Sequence, residues 1–261
     1  MLSFSESGRH RAEPLIQLDG VCKDYSSGPN TVKALRPATL TLDRGEFVLL
    51  EGPSGSGKTT LLSIMGLLMK PTGGSIRILG DDVTRLGEDK LPAIRLKHIG
   101  FIFQTFNLFP ALSALDNVKL ILKLKGYSWT ERRKEAPHLL ERVGLGECMN
   151  RKPADLSGGQ RQRICIARAL AGESDIILAD EPTAALDTVT GTAIIELLRD
   201  EARTGRKAVL VVTHDLRLEK YATRVDRITD GELNCGTPLR RAVRESGVLR
   251  EAPAELVNAA M

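Results

Sequence analysis

The chain has 261 residues, 42% hydrophobic and 27% charged, which suits one or two globular domains and excludes a wholly disordered chain. Its net charge of +4, from 37 basic and 33 acidic residues, is too small by itself to argue for nucleic acid or an anionic membrane as partner. Cys22, Cys148, Cys165 and Cys235 are scattered with no CxxC pair, which argues against a zinc site or a dense disulfide framework and fits a reducing cytoplasm.

Residues 1–14 are polar and include Arg9, His10 and Arg11, so no secretory signal is expected. Ile16-Gln17-Leu18 and Leu40-Thr41-Leu42 alternate apolar and polar, as half-buried strands do. Phe47-Val48-Leu49-Leu50 is a continuous apolar run, the pattern of a fully buried strand. A helical pattern starts at Lys58 and runs through Leu61, Leu62, Ile64, Met65, Leu67 and Leu68. Residues 76–78 and 99–103 read as further strands. From about Asn107 to Lys152 the character changes. Leu115, Val118, Ile121 and Leu122 recur at helical spacing, and a charged stretch, 131–135, precedes Leu139, Leu140 and Val143. This is read as a helical insertion in a larger α/β unit, with Pro137 near a helix start or at a kink.

Strands return at 176–179 and 208–212, with a helical pattern through Ile194, Ile195, Leu197 and Leu198 between them. Asp230-Gly231 between two apolar pairs signals a hairpin. Buried strands separated by helices imply a mainly parallel sheet covered on both faces. No apolar run approaches the roughly 20 residues that a membrane helix needs. The tail after Gly236 mixes Arg240, Arg241, Arg244 and Arg250 with Val243, Val248 and Leu249, and reads as either a surface helix or a partly disordered segment without assigned function.

Three stretches carry chemistry. Gly52-Pro53-Ser54-Gly55-Ser56-Gly57-Lys58-Thr59 matches GxxxxGK[ST] between an apolar strand and a helix. Such a loop points successive N–H groups at phosphate oxygens, the lysine reaches the β- and γ-phosphates, and the threonine hydroxyl ligates Mg2+. Thr60, next on the helix, is counted with the phosphate-binding residues. Asp180-Glu181 ends a buried strand, where ligands of parallel sheets sit. Strand ends often carry acids, but beside a phosphate loop Asp180 is placed to hold Mg2+ and Glu181 to accept a proton from water. Leu156-Ser157-Gly158-Gly159-Gln160 leads into a helix expected over 162–171. Alone it reads as a capped helix start.

Together these stretches resemble the ATP-binding subunits of ABC transporters. In that family a phosphate loop is followed by a Gln after a strand, here Gln104, then LSGGQ, an apolar strand ending in Asp-Glu, an Asp loop, here Ala185-Leu186-Asp187, and a switch histidine, here His214. Tyr25 lies upstream, where the family stacks adenine. The resemblance covers about residues 14–235 and departs at none of these positions.

The resemblance implies a P-loop NTPase (RecA-like) α/β core with an N-terminal antiparallel β region and an inserted helical subdomain at about 107–160, followed by a tail over 236–261. It implies ATP and Mg2+ as ligands. Glu181, His214, Gln104 and Lys58 would serve catalysis, and Thr59, Gln104 and Asp180 the metal. Tyr25 and residues Gly52 to Thr60 would hold the nucleotide, joined by Ser157, Gly158, Gly159, Gln160 and Asp187 from a second copy packed head to tail. It further implies a separate transmembrane permease, a peripheral place on the cytoplasmic side of the inner membrane, and no nucleic-acid partner. The segment 101–110 with Ala114-Leu115-Asp116-Asn117-Val118 is similar to the lipoprotein-releasing, macrolide-exporting and glycolipid-exporting branch. A regulatory ATPase of the same fold with a signalling membrane partner is the alternative. A GTPase is disfavoured by the missing Asn-Lys-x-Asp motif, and a DNA-repair ATPase by the missing heptad run.

Overall fold

In a computed structural model, which describes residues 13–27 and 30–238, the chain forms two sheets with helices around them. β1 (Ile16–Ser27) and β2 (Asn30–Leu42) pair antiparallel, with Ile16 opposite Leu42 and Leu18 opposite Leu40. The two alternating tripeptides are thus register partners at the buried end of one hairpin. The far end pairs Tyr25 with Val32, both exposed, and so shows no apolar alternation. β3 (Phe47–Glu51) follows, then α1 (Lys58–Met65), β4 (Gly73–Ile78) and β5 (Asp81–Asp82). The smaller sheet runs β2-β1-β4-β5.

α2 (Leu91–His98) leads into β6 (Ile99–Ile102). α3 (Ala114–Leu124), α4 (Trp129–Arg142) and α5 (Gly158–Leu170) come next, then β7 (Ile176–Asp180), α6 (Thr188–Arg203), β8 (Ala208–Val212), a 3-10 turn at Leu216–Tyr221, β9 (Arg224–Thr229) and β10 (Glu232–Asn234). The larger sheet runs β10-β9-β3-β8-β7-β6, and all its pairs are parallel except the terminal hairpin at Asp230-Gly231. This is the P-loop α/β architecture with a mainly parallel sheet.

The sheet separates two cores because side chains alternate across a strand. Phe47 and Leu49, Ile177 and Ala179, and Val209 and Val211 face α3 to α6. Val48 and Leu50, Ile176 and Leu178, and Leu210 and Val212 face α1 and the antiparallel sheet. β3, β7 and β8 are buried at every residue, and each such Leu, Ile or Val contributes roughly 1.5–3 kcal/mol.

Local chemistry shifts some boundaries. α1 stops at Met65, short of Leu67 and Leu68, because Gly66 breaks the helix and a Cβ there would lie 2.7 Å from the Phe101 ring. Leu67 then takes a positive φ of 55° and stays buried. α2 escapes the apolar pattern because it buries only Leu91. α4 starts at a capping box of Ser128 and Glu131, and Pro137 lies inside it, not at its start. α5 begins at Gly158, four residues before the expected start, so the two glycines belong to its first turn. The tail residues 239–261 fall outside the described residues.

Candidate active site

β3 delivers the phosphate loop to the carboxyl edge of the sheet. Gly57 caps α1 in the left-handed region, with φ 105°, and a Cβ there would sit 2.5 Å from the Ala34 carbonyl oxygen. A Cβ on Gly52 would collide with the Ile228 carbonyl of β9. The loop is therefore a backbone cradle squeezed between β2 and β9. The first turn of α1 has no side-chain cap and no acidic residue, so its N–H groups stay open to an anion. Ser56 Oγ is buried in this loop without a hydrogen-bond partner. Lys58 Nζ folds back and donates to the carbonyls of Gly52 and Pro53, both at 2.7 Å. Open N–H groups, an orphaned hydroxyl and a mobile-length cation fit a phosphate chain.

Thr59 Oγ1 donates to Asp180 Oδ2 at 3.3 Å, which ties the loop to the end of β7. Burial raises the pKa of Asp180, the Thr59 hydrogen bond and Lys58 oppose that rise, and the Glu181 charge adds to it. No cluster of three or more acidic, histidine or cysteine side chains among the described residues makes a complete metal cage. Two hard oxygen donors, Thr59 and Asp180, fit Mg2+, which takes one or two protein ligands and completes its shell with phosphate oxygens and water.

Glu181 follows directly and holds a positive φ of 48°. Such a backbone costs on the order of 1 kcal/mol for a non-glycine residue and persists only where the surroundings enforce it. Here the Glu181 N–H donates to Val212 O at 3.0 Å, and the carboxylate meets His214 Nδ1 at 2.7 Å and Thr213 Oγ1 at 3.5 Å. The hydrogen bond to Glu181, reinforced by its charge, raises the His214 pKa. Thr213 is buried and also accepts the Asp215 N–H at 3.0 Å, so it fixes both neighbours. In the sequence Thr213 carries no signal beyond its position between the 208–212 strand and His214.

Gln104 is exposed on the loop after β6. Because Ile102 pairs with Ala179, that loop leaves the sheet at the edge that carries Asp180. Tyr25 is 41% exposed on β1, its hydroxyl 3.1 Å from Met69 Sδ and Lys23 Nζ 5.5 Å from its ring centre.

Ser157 caps α5 by accepting the Gln160 N–H at 3.2 Å, while its own N–H donates to Gln160 Oε1 at 2.9 Å. A Cβ on Gly159 would lie 3.0 Å from Ala185 O, so the glycine allows α5 to seat against the Asp loop. Asp187 caps α6 by accepting the Thr190 N–H at 3.0 Å, and the same hydrogen bond lowers its pKa. A cleft of about 360 Å³ joins Ser157, Gly158 and Gly159 to Asp187. A second, of about 320 Å³, joins Asp187 to Glu181, Thr213 and His214. Residues 52–60 line neither cleft. The structure thus gathers Lys58, Thr59 and Asp180 into one cluster and Glu181 with His214 into an adjoining one, and sets Ser157 apart beside Asp187.

The model of the ABC transporter family matches residues 35–184. An uncharacterized ABC transporter ATP-binding protein of Thermotoga maritima is 47% identical over 219 residues, 84% of this chain and 93% of that protein. The macrolide export ATP-binding/permease protein MacB of Sodalis glossinidius is 46% identical over 224 residues, 86% of this chain but only 34% of its own length. The chain thus spans about a third of the MacB relatives. A solved dimeric ATP-binding cassette in a post-hydrolysis state, bound to ADP and Pi, superposes with a TM-score of 0.83 at 45% identity, over 86% of this chain and 99% of that one.

Proposed function

The chain belongs to the ABC transporter family, and from that premise we propose that it is an ATP-hydrolysing subunit that powers export through a membrane permease. The observation that carries this reading is the Glu181–His214 pair held beside the Lys58–Thr59–Asp180 cluster at the phosphate loop. Gly52 to Thr60 and the open N-terminus of α1 bind the phosphates, and Tyr25 offers its ring to the adenine. Thr59 and Asp180, with Gln104 from the loop after β6, would hold Mg2+, which would supply charge neutralisation to the phosphates. Lys58 exchanges its two carbonyl contacts for the β- and γ-phosphates. Glu181 accepts the proton of the attacking water while His214 holds the carboxylate in place and reaches the γ-phosphate.

Two copies pack head to tail, so that Ser157 and Gly159 of each close over the nucleotide of the other. The separation of Ser157 from the phosphate loop within one chain supports this arrangement, and Asp187, which lines both clefts, is placed to couple them. Among the described residues no helix is long and apolar enough to cross a membrane. Attachment to the cytoplasmic face of the inner membrane is assigned to the permease. A groove of about 340 Å³ beside the Gln104 loop, lined by Leu68, Phe101, Phe103 and Phe109 together with Arg95, Lys125 and Arg168, suits an amphipathic cytoplasmic segment of that partner. The likeness to MacB supports export as the direction.

Glu181→Gln tests the reading. The amide keeps the size and the hydrogen bonding but accepts no proton, so turnover falls about a hundredfold or more while ATP binding persists. The variant should run on gel filtration as a dimer only when ATP and Mg2+ are present. Wild-type turnover in this variant would remove Glu181 as the base.

A further inference from the structure

Four contacts from α5 converge on two residues of the loop that carries Gln104. Arg168 donates from Nη1 to Asn107 O at 2.5 Å and from Nη2 to Phe106 O at 3.0 Å. Cys165 Sγ donates to the same Phe106 carbonyl at 2.8 Å. The Arg161 guanidinium lies 5.1 Å from the Phe106 ring centre. Asn107 itself takes a positive φ of 50°, a left-handed conformation that asparagine adopts readily, so the chain turns where Arg168 grips it.

Arg168 is an expensive way to fill space. It is 9% exposed, and among the described residues no carboxylate pairs with it. A buried cation without a counter-charge is costly, and an apolar side chain would pack here at less cost. Its place in the last turn of α5, at the negative end of the helix dipole, offsets part of that cost. What the guanidinium alone provides is a planar fork that takes two successive carbonyls at once and so fixes the loop's direction.

The opposite end of α5 is the Ser157–Gln160 turn. With 13 residues the helix is about 20 Å long, an uninterrupted α-helix from the Ser157 cap to Leu170 that joins the two ends. We propose that Arg168 is a positioning residue that fastens the Gln104 loop to the LSGGQ helix, so that occupation of one nucleotide site sets the position of the turn that closes the other. Cys165, whose thiol pKa burial pushes up to about 12, acts as an inert second pin on the same carbonyl. This rests on the assignment above of Gln104 to one site and of Ser157 to the other.

Arg168→Met, Arg168→Lys and Cys165→Ala in the full chain test the proposal. Arg168→Met should lower kcat about tenfold or more and leave the KM for ATP within about twofold, because misplacement of a closing group costs turnover and not ground-state binding. In the Glu181→Gln background it should abolish the ATP-dependent dimer. Arg168→Lys should restore kcat in part, since an ammonium reaches one of the two carbonyls. If Arg168→Met does not fold, Cys165→Ala decides, with a smaller fall in kcat at unchanged KM in a chain that still folds and loses only the modest stability of one buried side chain. A kcat within about twofold of wild type in the folded variants overturns the clamp, and so does a parallel loss of KM, kcat and melting temperature that Arg168→Lys fails to rescue. If Lys58→Ala loses hydrolysis while Arg168→Met keeps it, only the clamp is wrong. If Lys58→Ala keeps hydrolysis, the site assignment itself fails.

Discussion

The phosphate loop and the LSGGQ turn are both glycine-containing entries to a helix, yet their N-termini are finished in opposite ways. α1 starts on Gly57 with no side-chain cap, and Ser56 Oγ lies buried beside it without a partner. α5 starts on Ser157 with both halves of a capping box in place. Neither first turn carries an acid. An uncapped, positive helix end is an unsatisfied donor set that an anion completes, so the loop at α1 is suited to holding phosphate within its own chain. The α5 entry has its Gln160 and Ser157 N–H groups satisfied internally by the capping box, so it keeps its shape without ligand. It is suited to being a rigid surface that a second copy presses onto a phosphate already held elsewhere.

The comparison breaks most visibly at the open end. Lys58→Ala removes the only lysine in the loop, and hydrolysis should fall by about a hundredfold to a thousandfold, the scale of losing one preorganised electrostatic group. Nucleotide binding, followed by a fluorescent ATP analogue, should weaken as well. Retention of more than about a tenth of wild-type turnover would show that phosphate is bound elsewhere.

At the closed end the expected pattern differs. If Ser157 closes over the partner's nucleotide as proposed, Ser157→Arg should leave ATP binding to the monomer unchanged and yet stop hydrolysis, because a bulky cation would fill the space of the partner's γ-phosphate. Mixing Ser157→Arg with Lys58→Ala chains produces dimers in which one site carries both lesions and the other neither. Hydrolysis should reappear in the mixture and in neither parent. Mixed dimers that form without activity would mean either that each site lies within one chain or that both sites must be intact. ATP-dependent crosslinking between cysteines placed beside Ser54 and Gly159 would then decide, because only the head-to-tail arrangement brings those positions together between chains.

Smaller effects sharpen the picture of the cleft between the two ends. The hydrogen bond to Glu181 raises the His214 pKa, so the folded chain favours the protonated ring. Whatever this contact adds to stability is complete below the unfolded-state value of about 6.5 and is lost as pH rises through the higher folded value. Glu181→Gln should therefore move the His214 ring-proton NMR titration down toward the ordinary midpoint. An unmoved titration would mean that Glu181 does not hold the ring. The smallest effect belongs to Tyr25→Ala, which should raise the KM for ATP by the equivalent of about 1 kcal/mol of stacking and spare kcat. Unchanged KM for both ATP and GTP would leave Tyr25 as a packing residue.

The sequence by itself determined the phosphate loop, the buried strands and the catalytic candidates. β3, β7 and β8 each carry a run of four or five apolar residues and are buried at every position, the composition of a strand covered on both faces. It missed α2, which buries one residue, and the outer half of the β1–β2 hairpin, whose side chains face solvent, because periodicity records burial and not backbone. It placed the start of α5 too late because glycines read as a turn until a cap is seen to hold them in a helix.

Only the tertiary structure decided how the candidates meet. Glu181 and His214 lie 33 residues apart, and the parallel register that sets Asp180 beside Val212 brings them to 2.7 Å. Arg168 finds the Phe106 and Asn107 carbonyls across 62 and 61 residues because α5 packs beside the end of β6. Backbone carbonyls carry no side-chain signature, so no pattern of residue types announces such a contact. It exists only once packing has fixed which helix faces which loop.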